Sequence, residues 1–328
     1  MSQENPGLEA LAAEQCAAHH CENAISLLEA AFVHQPGNAE LSHQIGFCYS
    51  GACRRHSQVS LSLAIAYFER ALDLVRTCGP RNVRAKYLDS LGNARRADRQ
   101  PARALPPLEA AGQLYQDLGL REDWARTEYN LGNMFCELAE AGSPSMWEKA
   151  VRHYLNALSV RTEKVDPARF AATAQNLGTA YRELISGDRT ANLRRAIGCY
   201  VAAFRVYTAA HRVEKCADLH NNLGNVYLNL PGPPEAPCKN IRRALRHCAV
   251  ALRIRARSSR PCDYAVTHFN RGQGYLLLSA CDPCESVQPA ATCLREALGG
   301  FLLCGDAENA GIVKLRLEAL ELVSPAAA

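Results

Sequence analysis

Asparagine side chains recur at one place in a repeated sequence phrase, and their chemistry is hydrogen bonding. The phrase NNLGNVYLNL at 221–230 has close relatives at 129–138, 175–184 and 269–278, each with a central glycine. An amide side chain offers both a donor and an acceptor, which suits pairing with the backbone of an extended peptide. The polar residues that lie two before or one after the glycines are Asn93, Asn130, Asn133, Asn176, Thr179, Asn222, Asn225, Asn270 and Gln273.

The spacing of the glycines predicts the elements that position these side chains. Gly132, Gly178, Gly224 and Gly272 lie 46, 46 and 48 residues apart, and a period of 20–50 residues indicates a repeat architecture. Apolar residues around the glycines follow the helical spacing i, i+4, i+7. Positions two before and one after a glycine are three apart, so they share one helix face. We therefore expect each phrase to form the first helix of a repeat.

A second helix in each repeat is predicted by two alanines that lie seven residues apart. The pairs are Ala64 and Ala71, Ala104 and Ala111, Ala150 and Ala157, Ala196 and Ala203, Ala244 and Ala251, and Ala290 and Ala297. Five of the pairs are followed by the next glycine after 21 residues, whereas the distance from glycine to first alanine varies between 12 and 20 residues. Adjacent repeats should therefore pack in one geometry, and the turn within a repeat should tolerate insertions.

These residues resemble the tetratricopeptide repeat (TPR) family. The 34-residue TPR motif is a helix–turn–helix with small residues at its eighth, twentieth and twenty-seventh positions and an aromatic residue at its eleventh. The repeat around Gly178 matches it with Leu177, Gly178, Tyr181, Ala196, Tyr200 and Ala203. The resemblance covers roughly residues 8–300. Six extra residues in each link make the repeats similar to those of kinesin light chains and of bacterial TPR proteins found beside signalling or protease modules.

The resemblance implies an all-α solenoid, a right-handed superhelix of about seven helical hairpins followed by a capping helix. The repeat domain would comprise residues 1–306, beginning with a shorter hairpin marked by Ala24, Ala31 and Pro36. Residues 307–328 would form the C-terminal capping helix and a short tail. The prolines of QPARALPPLEA at 100–110 predict a local irregularity in the hairpin around Gly92.

By the same resemblance, the asparagines would line a concave groove and clamp the backbone of an extended peptide. The alternative is that they bond neighbouring hairpins and fix the pitch of the solenoid. Arg126, Arg182 and Lys86 fall on first helices near the same face, but they do not recur in the paired pattern that a clamp for a terminal carboxylate needs. We include Arg126 and Arg182 in the candidate site and expect a general peptide groove.

Two further segments carry chemistry of other kinds. The segment KNIRRALRHCAVALRIRARSSR at 239–260 contains eight lysines and arginines and no acidic residue. This composition is typical of segments that bind nucleic acid or an acidic protein partner. The segment falls on a second helix, whose outer face is solvated in TPR folds, and it lacks aromatic residues for base stacking. Cys281 and Cys284 have the C-x-x-C spacing of half a zinc site. A zinc site needs four ligands, and the sequence has no second closely spaced pair to supply the other two. We expect no metal and no cofactor.

Composition sets broader limits. Of the 328 residues, 48% are hydrophobic, and the formal net charge is +4. No run of 18 apolar residues predicts a membrane span, and the N-terminal segment has no basic residue ahead of an apolar core, so no secretory signal is predicted. The fifteen scattered cysteines are interpreted as small hydrophobic side chains in a reducing cytoplasm rather than as a disulfide framework.

No catalytic motif is recognised: the sequence contains no G-x-S-x-G elbow, no G-x-x-x-x-G-K loop and no H-E-x-x-H pair. We therefore predict a cytoplasmic, non-catalytic scaffold or adaptor that binds a protein or peptide segment in its groove. One alternative is a regulatory subunit of a separately encoded protease or signalling enzyme. A less favoured alternative is nucleic-acid binding through residues 239–260. The oligomeric state is left open.

Overall fold

The computed structural model describes residues 6–17, 21–51, 58–255, 260–280 and 286–323, and every regular element within them is an α-helix. The chain divides into two compact units, Met1–Arg161 and Thr162–Ala328, which we call unit 1 and unit 2. The helices of unit 1 are α1 (Pro6–Ala17), α2 (Cys21–His34), α3 (Ala39–Gly51), α4 (Gln58–Leu74), α5 (Arg81–Ala97), α6 (Pro101–Asp117), α7 (Arg121–Glu140) and α8 (Met146–Leu158). The helices of unit 2 are α9 (Pro167–Glu183), α10 (Arg189–Ala209), α11 (Val213–Asn229), α12 (Lys239–Ile254), α13 (Pro261–Leu278), α14 (Val287–Leu303) and α15 (Ala307–Val323).

Consecutive helices of the described chain pack as hairpins. In unit 1 the pairs are α1/α2, α3/α4, α5/α6 and α7/α8, and in unit 2 they are α9/α10, α11/α12 and α13/α14, with α15 packed on α14. The prediction of an all-α hairpin solenoid with about seven hairpins and a final helix is confirmed. The separate expectation of a domain boundary at residue 306 stays a prediction.

The paired alanines are contact points between helices, as predicted. The twelve alanines of the six pairs all have 0% exposed surface. In unit 2, Ala196 and Ala203 of α10 lie in one cluster with Tyr200 and with Leu219 of α11. A methyl group at these places lets neighbouring helices approach closely, while the larger residues between them fill the core.

The glycines of the repeated phrase give room to a side chain from the second helix of the same hairpin. A Cβ atom on Gly132 would lie 2.5 Å from the ring of Tyr154, and one on Gly178 would lie 2.7 Å from the ring of Tyr200. Phe68 and Leu108 cover Gly46 and Gly92 in the same way. In these four hairpins the glycine is needed because a large side chain of the second helix packs against the first helix, whereas the smaller Cys248 covers Gly224 at 2.8 Å.

Helix ends follow local chemistry. The carboxylate of Asp166 accepts a hydrogen bond from the backbone N–H of Arg169 at the start of α9, and that of Asp188 accepts one from Ala191 at the start of α10. Aspartate at the N-cap satisfies an amide that has no partner within the helix. The extra residues of the long repeat extend some helices and not others: α10 has 21 residues, but α8 has 13.

The proline-rich segment keeps its helix. Helix α6 begins at Pro101 and continues through Pro106 and Pro107. A proline has no N–H to give to the carbonyl four residues earlier, so Pro107 leaves the carbonyl of Arg103 without its helical partner. The guanidinium of Arg95 donates to that carbonyl at 3.0 Å. The expected irregularity thus affects the backbone bonds of α6, and Arg95, which stands in the usual aromatic place of the repeat, satisfies one of the carbonyls that the prolines free.

The cysteines correct one expectation from the sequence. Cys262, near the start of α13, forms a disulfide with Cys304, directly after α14, and their Cα atoms lie 5.7 Å apart. A hairpin brings the beginning of its first helix next to the end of its second, so residues 42 apart in sequence meet there. Cys48 and Cys248 are buried, as predicted for small hydrophobic side chains, and Cys293 is buried as well. Disulfides persist mainly in oxidising compartments, so a cytoplasmic location stays a prediction.

Among the described residues, no helix is long and apolar enough to cross a membrane.

Candidate functional site

Unit 1 contains a cavity of about 820 Å³ between the first helices of its hairpins. It is lined by His43, Phe47, Ser50, Leu61, Phe68, Asn82, Lys86, Asp89, Ser90, Asn93, Ala94, Ala97, Tyr115, Leu120, Asp123 and Arg126. Most of these residues lie on α3, α5 and α7, the helices that carry the repeated phrase. The cavity is therefore a groove built by the repeat.

One end of the cavity is apolar. Phe47 of α3 is 62% exposed, although it is a large hydrophobic residue, and Leu61 and Phe68 of α4 are buried beside it in the wall. The imidazole of His43 lies against Phe68, with 5.3 Å between ring centroids. An exposed phenylalanine over a buried apolar floor is a surface on which a ligand side chain can be removed from water.

The other end of the cavity is polar and its charges are paired. Arg126 forms ion pairs with Asp123 at 2.6 Å and with Asp89 at 3.3 Å. The Asp89 carboxylate also accepts a hydrogen bond from the hydroxyl of Thr127 at 3.0 Å. Burial raises the pKa of Asp89, although Arg126 and Thr127 act in the opposite direction. Because Arg126 already has two carboxylate partners, this end does not present an unpaired cation.

A second ion pair lies on the same wall. The ammonium group of Lys86 lies 3.1 Å from the carboxylate of Glu40, which also accepts a hydrogen bond from the hydroxyl of Tyr87 at 2.8 Å. Burial acts to raise the pKa of Glu40, but the hydrogen bonds from Tyr87 and Lys86 outweigh it, and the pKa is lowered. The two cations of the cavity are thus both neutralised by carboxylates of the chain, and the polar surface left for a ligand is formed by amides and hydroxyls.

His43 is a neutral polar group of this wall. Its Nε2 atom lies 2.9 Å from the hydroxyl of Ser90, and its ring stacks on Tyr87 with centroids 4.5 Å apart. Burial, together with the charge of Lys86, lowers the pKa of His43 to about 4. The imidazole is therefore uncharged near neutral pH and holds α3 to α5 by a hydrogen bond.

The predicted site residues of unit 1 fall into two groups. Asn93 and Arg126 line the cavity, and the amide of Asn93 donates to the backbone carbonyl of Asp89 at 2.9 Å. The amide oxygen of Asn133 accepts a hydrogen bond from the hydroxyl of Tyr154 at 2.7 Å, so it fixes the ring that covers Gly132. Asn130 is half-buried on α7. The place one residue after the glycine thus lines the cavity in one hairpin, through Asn93, and holds the two helices together in another, through Asn133.

Unit 2 repeats the closure bond and adds a bond between repeats. The hydroxyls of Thr179 and Tyr200 lie 3.1 Å apart, as Asn133 and Tyr154 do in unit 1. The Asn270 side chain is 6% exposed, and its amide donates to the side-chain oxygen of Asn221 at 3.1 Å. Asn270 therefore joins α13 to α11, which is the structural alternative that the sequence left open.

The remaining predicted residues of unit 2 are partly exposed. Arg182 of α9 forms an ion pair with the neighbouring Glu183 at 2.7 Å. The half-buried members are Asn176, Asn222, Asn225 and Gln273. Ligand contact by these residues stays a prediction.

Sequence reasoning missed several residues of the cavity. Ser90 occupies the place two before Gly92 that asparagine holds in other repeats, so extending the repeat alignment to this hairpin would have found it. Phe47 lies one residue after Gly46, where the other repeats have a polar residue, so the same alignment would have marked it as an exception. His43 has no such signal, because the place three before the glycine is not polar in every repeat. Asp89 was missed because its ion pair with Arg126 joins residues 37 apart.

The basic segment 239–260 is less uniform than its sequence suggests. Arg255 is 5% exposed, and its guanidinium lies 2.6 Å from the carboxylate of Asp218. Arg260 pairs with Glu214 and with Asp218 at 3.2 and 3.1 Å. These two arginines stabilise unit 2 internally. The exposed cations of α12 are Lys239, Arg242, Arg243, Arg246 and Arg253.

In the described part of the chain, no group of three His, Cys, Asp or Glu side chains is placed to hold a metal ion. Cys281 and Cys284 lie outside the described residues.

Comparison with known proteins identifies the fold. No protein-family model matches the sequence, and no curated protein matches it either. Among solved structures, the apo form of RapI is 14% identical, with 89% of this chain and 96% of RapI covered and a TM-score of 0.57.

Two further structures give similar values. A Rap protein complexed with Competence and Sporulation Factor is 13% identical, with 100% of this chain and 90% of that one covered and a TM-score of 0.50. The nearly identical TPR-like repeats of a kinesin light chain from Podosopora anserina are 13% identical, with coverage of 69% and 98% and a TM-score of 0.50. At these identities the likeness is one of fold, and by its fold this chain is a TPR-like helical-repeat protein.

Proposed function

We propose that the protein is a non-catalytic interaction scaffold and that the cavity of unit 1 binds an extended peptide segment of a partner. The observation that carries the proposal is the pairing of an apolar end around Phe47 with a polar end around Asn93 and Arg126 in one cavity of about 820 Å³. An extended peptide presents apolar side chains and backbone amides together. Its side chains would bury Phe47, and its backbone would bond to the amides and hydroxyls of the wall.

The charges of the cavity favour an internal segment over a chain terminus. Lys86 and Arg126 are already paired with carboxylates, so a terminal carboxylate would compete with Glu40 and Asp89 for each cation. A neutral backbone meets no such competition. The same paired charges, together with the uncharged His43, support a binding role rather than proton transfer.

The partly exposed asparagines outside the cavity belong to the same proposal. Asn130 in unit 1 and Asn176 and Asn222 in unit 2 hold equivalent places two residues before a glycine. We propose that they contact partner backbone within their own units. The fold is compatible with such binding, since a solved Rap protein with this fold is complexed with Competence and Sporulation Factor.

Selection from a displayed library of random 12-residue peptides tests the groove. Selected peptides would be measured by fluorescence polarisation against the wild-type chain, Phe47→Ala, Asn93→Ala and the control Leu155→Ala. Leu155 is an exposed apolar residue of α8, 47% exposed, outside the cavity. We expect at least about 10-fold weaker binding for Phe47→Ala, because burying an aromatic side chain contributes roughly 1.5–3 kcal/mol. Asn93→Ala should weaken binding by about 3–10-fold, the value of one hydrogen bond.

Thermal melts of all variants provide the folding control. Peptides whose affinity is the same for wild type and for both cavity variants would contradict the groove proposal. In that case the loops and outer helix faces, through which a regulatory subunit would engage an effector enzyme, become the surfaces to test.

A further inference from the structure

A second cavity, of about 450 Å³, lies in unit 2 and differs from the groove in its charge. Its lining residues are His220 and Tyr227 of α11 and Arg243, Arg246, His247 and Val250 of α12. None of them is acidic. Within the part of the chain that the structure describes, neither arginine forms an ion pair with a carboxylate. The cavity therefore gathers cationic and hydrogen-bonding side chains around a space that contains no anion of the chain.

The equivalent hairpin of unit 1 contains that anion. In α7/α8, the carboxylate of Glu128 lies 2.9 Å from Nδ1 of His153 and 2.7 Å from the side-chain amide nitrogen of Asn156. His153 stacks on Phe135 with centroids 5.1 Å apart, and the ammonium of Lys149 lies 5.3 Å above the Phe135 ring. An acid, a histidine, an aromatic ring and a cation thus form one closed cluster.

The α11/α12 hairpin keeps three of these four parts and changes the fourth. His247 occupies the place of His153, and it stacks on Tyr227 with centroids 5.5 Å apart. The guanidinium of Arg243 lies 5.8 Å from the Tyr227 ring, as Lys149 lies over Phe135. The place of Glu128, four residues before the glycine, is taken by His220. The cluster has exchanged its internal carboxylate for a second imidazole, and it has a cavity of about 450 Å³ beside it.

The two histidines show the effect of the missing carboxylate. Their Nδ1 atoms lie 2.9 Å apart, a bond that requires one protonated and one unprotonated nitrogen. Burial lowers the pKa of His220. Burial, the neighbouring His220 and the charge of Arg246 lower the pKa of His247 to about 4. The other neighbours, Tyr227 on α11 and Phe204 on α10 against His220, bring no negative charge near neutral pH.

We propose that this cavity binds the phosphate group of a phosphate monoester. Arginine guanidinium groups match phosphate oxygens with paired N–H donors, and two arginines balance the charge of about −1.5 to −2 that a phosphate monoester carries near pH 7. The imidazoles supply further donors when the anion draws protons to them. Tyr227 and Val250 leave an apolar side against which the organic part of the ester packs. The same group could come from a small phosphate ester or from a phosphorylated side chain of a protein.

Isothermal titration calorimetry with phenyl phosphate tests the site in the full-length protein. His220→Glu installs the carboxylate that the α7/α8 hairpin already has, so it should fold and should exclude the phosphate. Arg243→Ala/Arg246→Ala removes the two cavity cations. Arg242→Ala/Arg253→Ala removes the same charge from exposed positions of the same helix that do not line the cavity, and it is the matched control.

We expect saturable binding to the wild type and to the Arg242/Arg253 control. Binding should be at least about 10-fold weaker in the other two variants, as loss of charge-assisted hydrogen bonds requires. A phosphotyrosyl peptide identifies the source: affinity at least about 10-fold above that of phenyl phosphate indicates a phosphorylated protein, and equal affinity indicates a small ester.

Three results would overturn the proposal. They are the absence of saturable binding to the wild type, unchanged binding to His220→Glu that melts like the wild type, and equal weakening in both double-arginine variants. The last result would mean that the basic face of α12 attracts phosphate as a whole, as a nucleic-acid-binding surface does.

Discussion

At the scale of single residues, the glycines of the repeated phrase are explained by the side chains that cover them. Tyr200 of α10 lies so close to Gly178 of α9 that a Cβ atom would meet its ring at 2.7 Å. The hydroxyl of the same tyrosine bonds to Thr179. One residue of the phrase thus provides space and its neighbour provides a hydrogen bond, and both fix the same ring.

Gly178→Ala should therefore destabilise unit 2. An added methyl group must displace a fully buried ring, which costs about 1–3 kcal/mol in a packed core. Gly198→Ala is the matched control, because Gly198 lies inside α10 with nothing within 4 Å of an added Cβ. That change should stabilise the protein by about 0.5–1 kcal/mol, since alanine loses less backbone entropy than glycine. Urea unfolding measures both, and equal effects of the two substitutions would contradict the explanation.

At the scale of elements, the hairpins share one packing pattern and differ in the polar side chains between their two helices. The α7/α8 hairpin closes its polar cluster with Glu128, whereas the α11/α12 hairpin places His220 there and leaves a cavity. The α5/α6 hairpin uses Arg95 to satisfy a carbonyl that a proline frees. The six hairpins from α3/α4 to α13/α14 keep the alanine contacts and the covered glycine, and they vary the polar side chains around them.

The α13/α14 hairpin is further closed by the disulfide between Cys262 and Cys304. A disulfide across 42 residues stabilises the folded chain by up to about 4 kcal/mol, because it restricts the unfolded chain. Cys262→Ser/Cys304→Ser should therefore lower the melting temperature in non-reducing buffer. Cys78→Ser, at an exposed free cysteine of unit 1, is the control and should melt like wild type. A double variant as stable as wild type would show that the bond does not form in solution.

At the scale of the whole molecule, the chain consists of two units that each have their own core. In unit 1, separate clusters surround Leu28 and Ile45, Phe68 and Leu91, and Tyr115. In unit 2, one cluster surrounds Tyr200 and another surrounds Phe301. Each of these clusters uses residues of a single unit.

Fragments 1–161 and 162–328 should accordingly fold when produced separately. A cut between α7 and α8, giving 1–142 and 143–328, provides the matched control. It separates Gly132, in fragment 1–142, from the buried ring of Tyr154, in fragment 143–328, so the faces of α7 and α8 that pack on each other both become exposed. Circular dichroism should show cooperative melting for both fragments of the first pair and a lower melting temperature for fragment 1–142. If both cuts give fragments of equal stability, the chain does not divide at residue 161 into two units that fold independently.

Much of the fold followed from periodicity, and little of the site did. Ala196 and Ala203 are seven residues apart and both fully buried, as two turns of one helix face require. The candidate asparagines share a helix face as well, yet Asn93 lines a cavity, Asn133 holds a tyrosine and Asn270 is buried against Asn221. A common position in the repeat does not give a common environment, because that environment is formed by the neighbouring hairpin, whose side chains differ.

By itself, the sequence determined that this protein is a stack of helical hairpins. Its apolar residues follow the helix period within a longer repeat, and a hairpin of this kind buries its apolar face only by packing against neighbouring hairpins. It also determined the contact residues, because small side chains recur only where backbones approach. The tertiary structure alone decided which charges meet, such as Arg126 with Asp89, and where a charge has no counterpart, as beside His247. The reason is physical: backbone packing repeats with the period of the chain, whereas the partner of a charged side chain comes from another helix and depends on which residue happens to stand there.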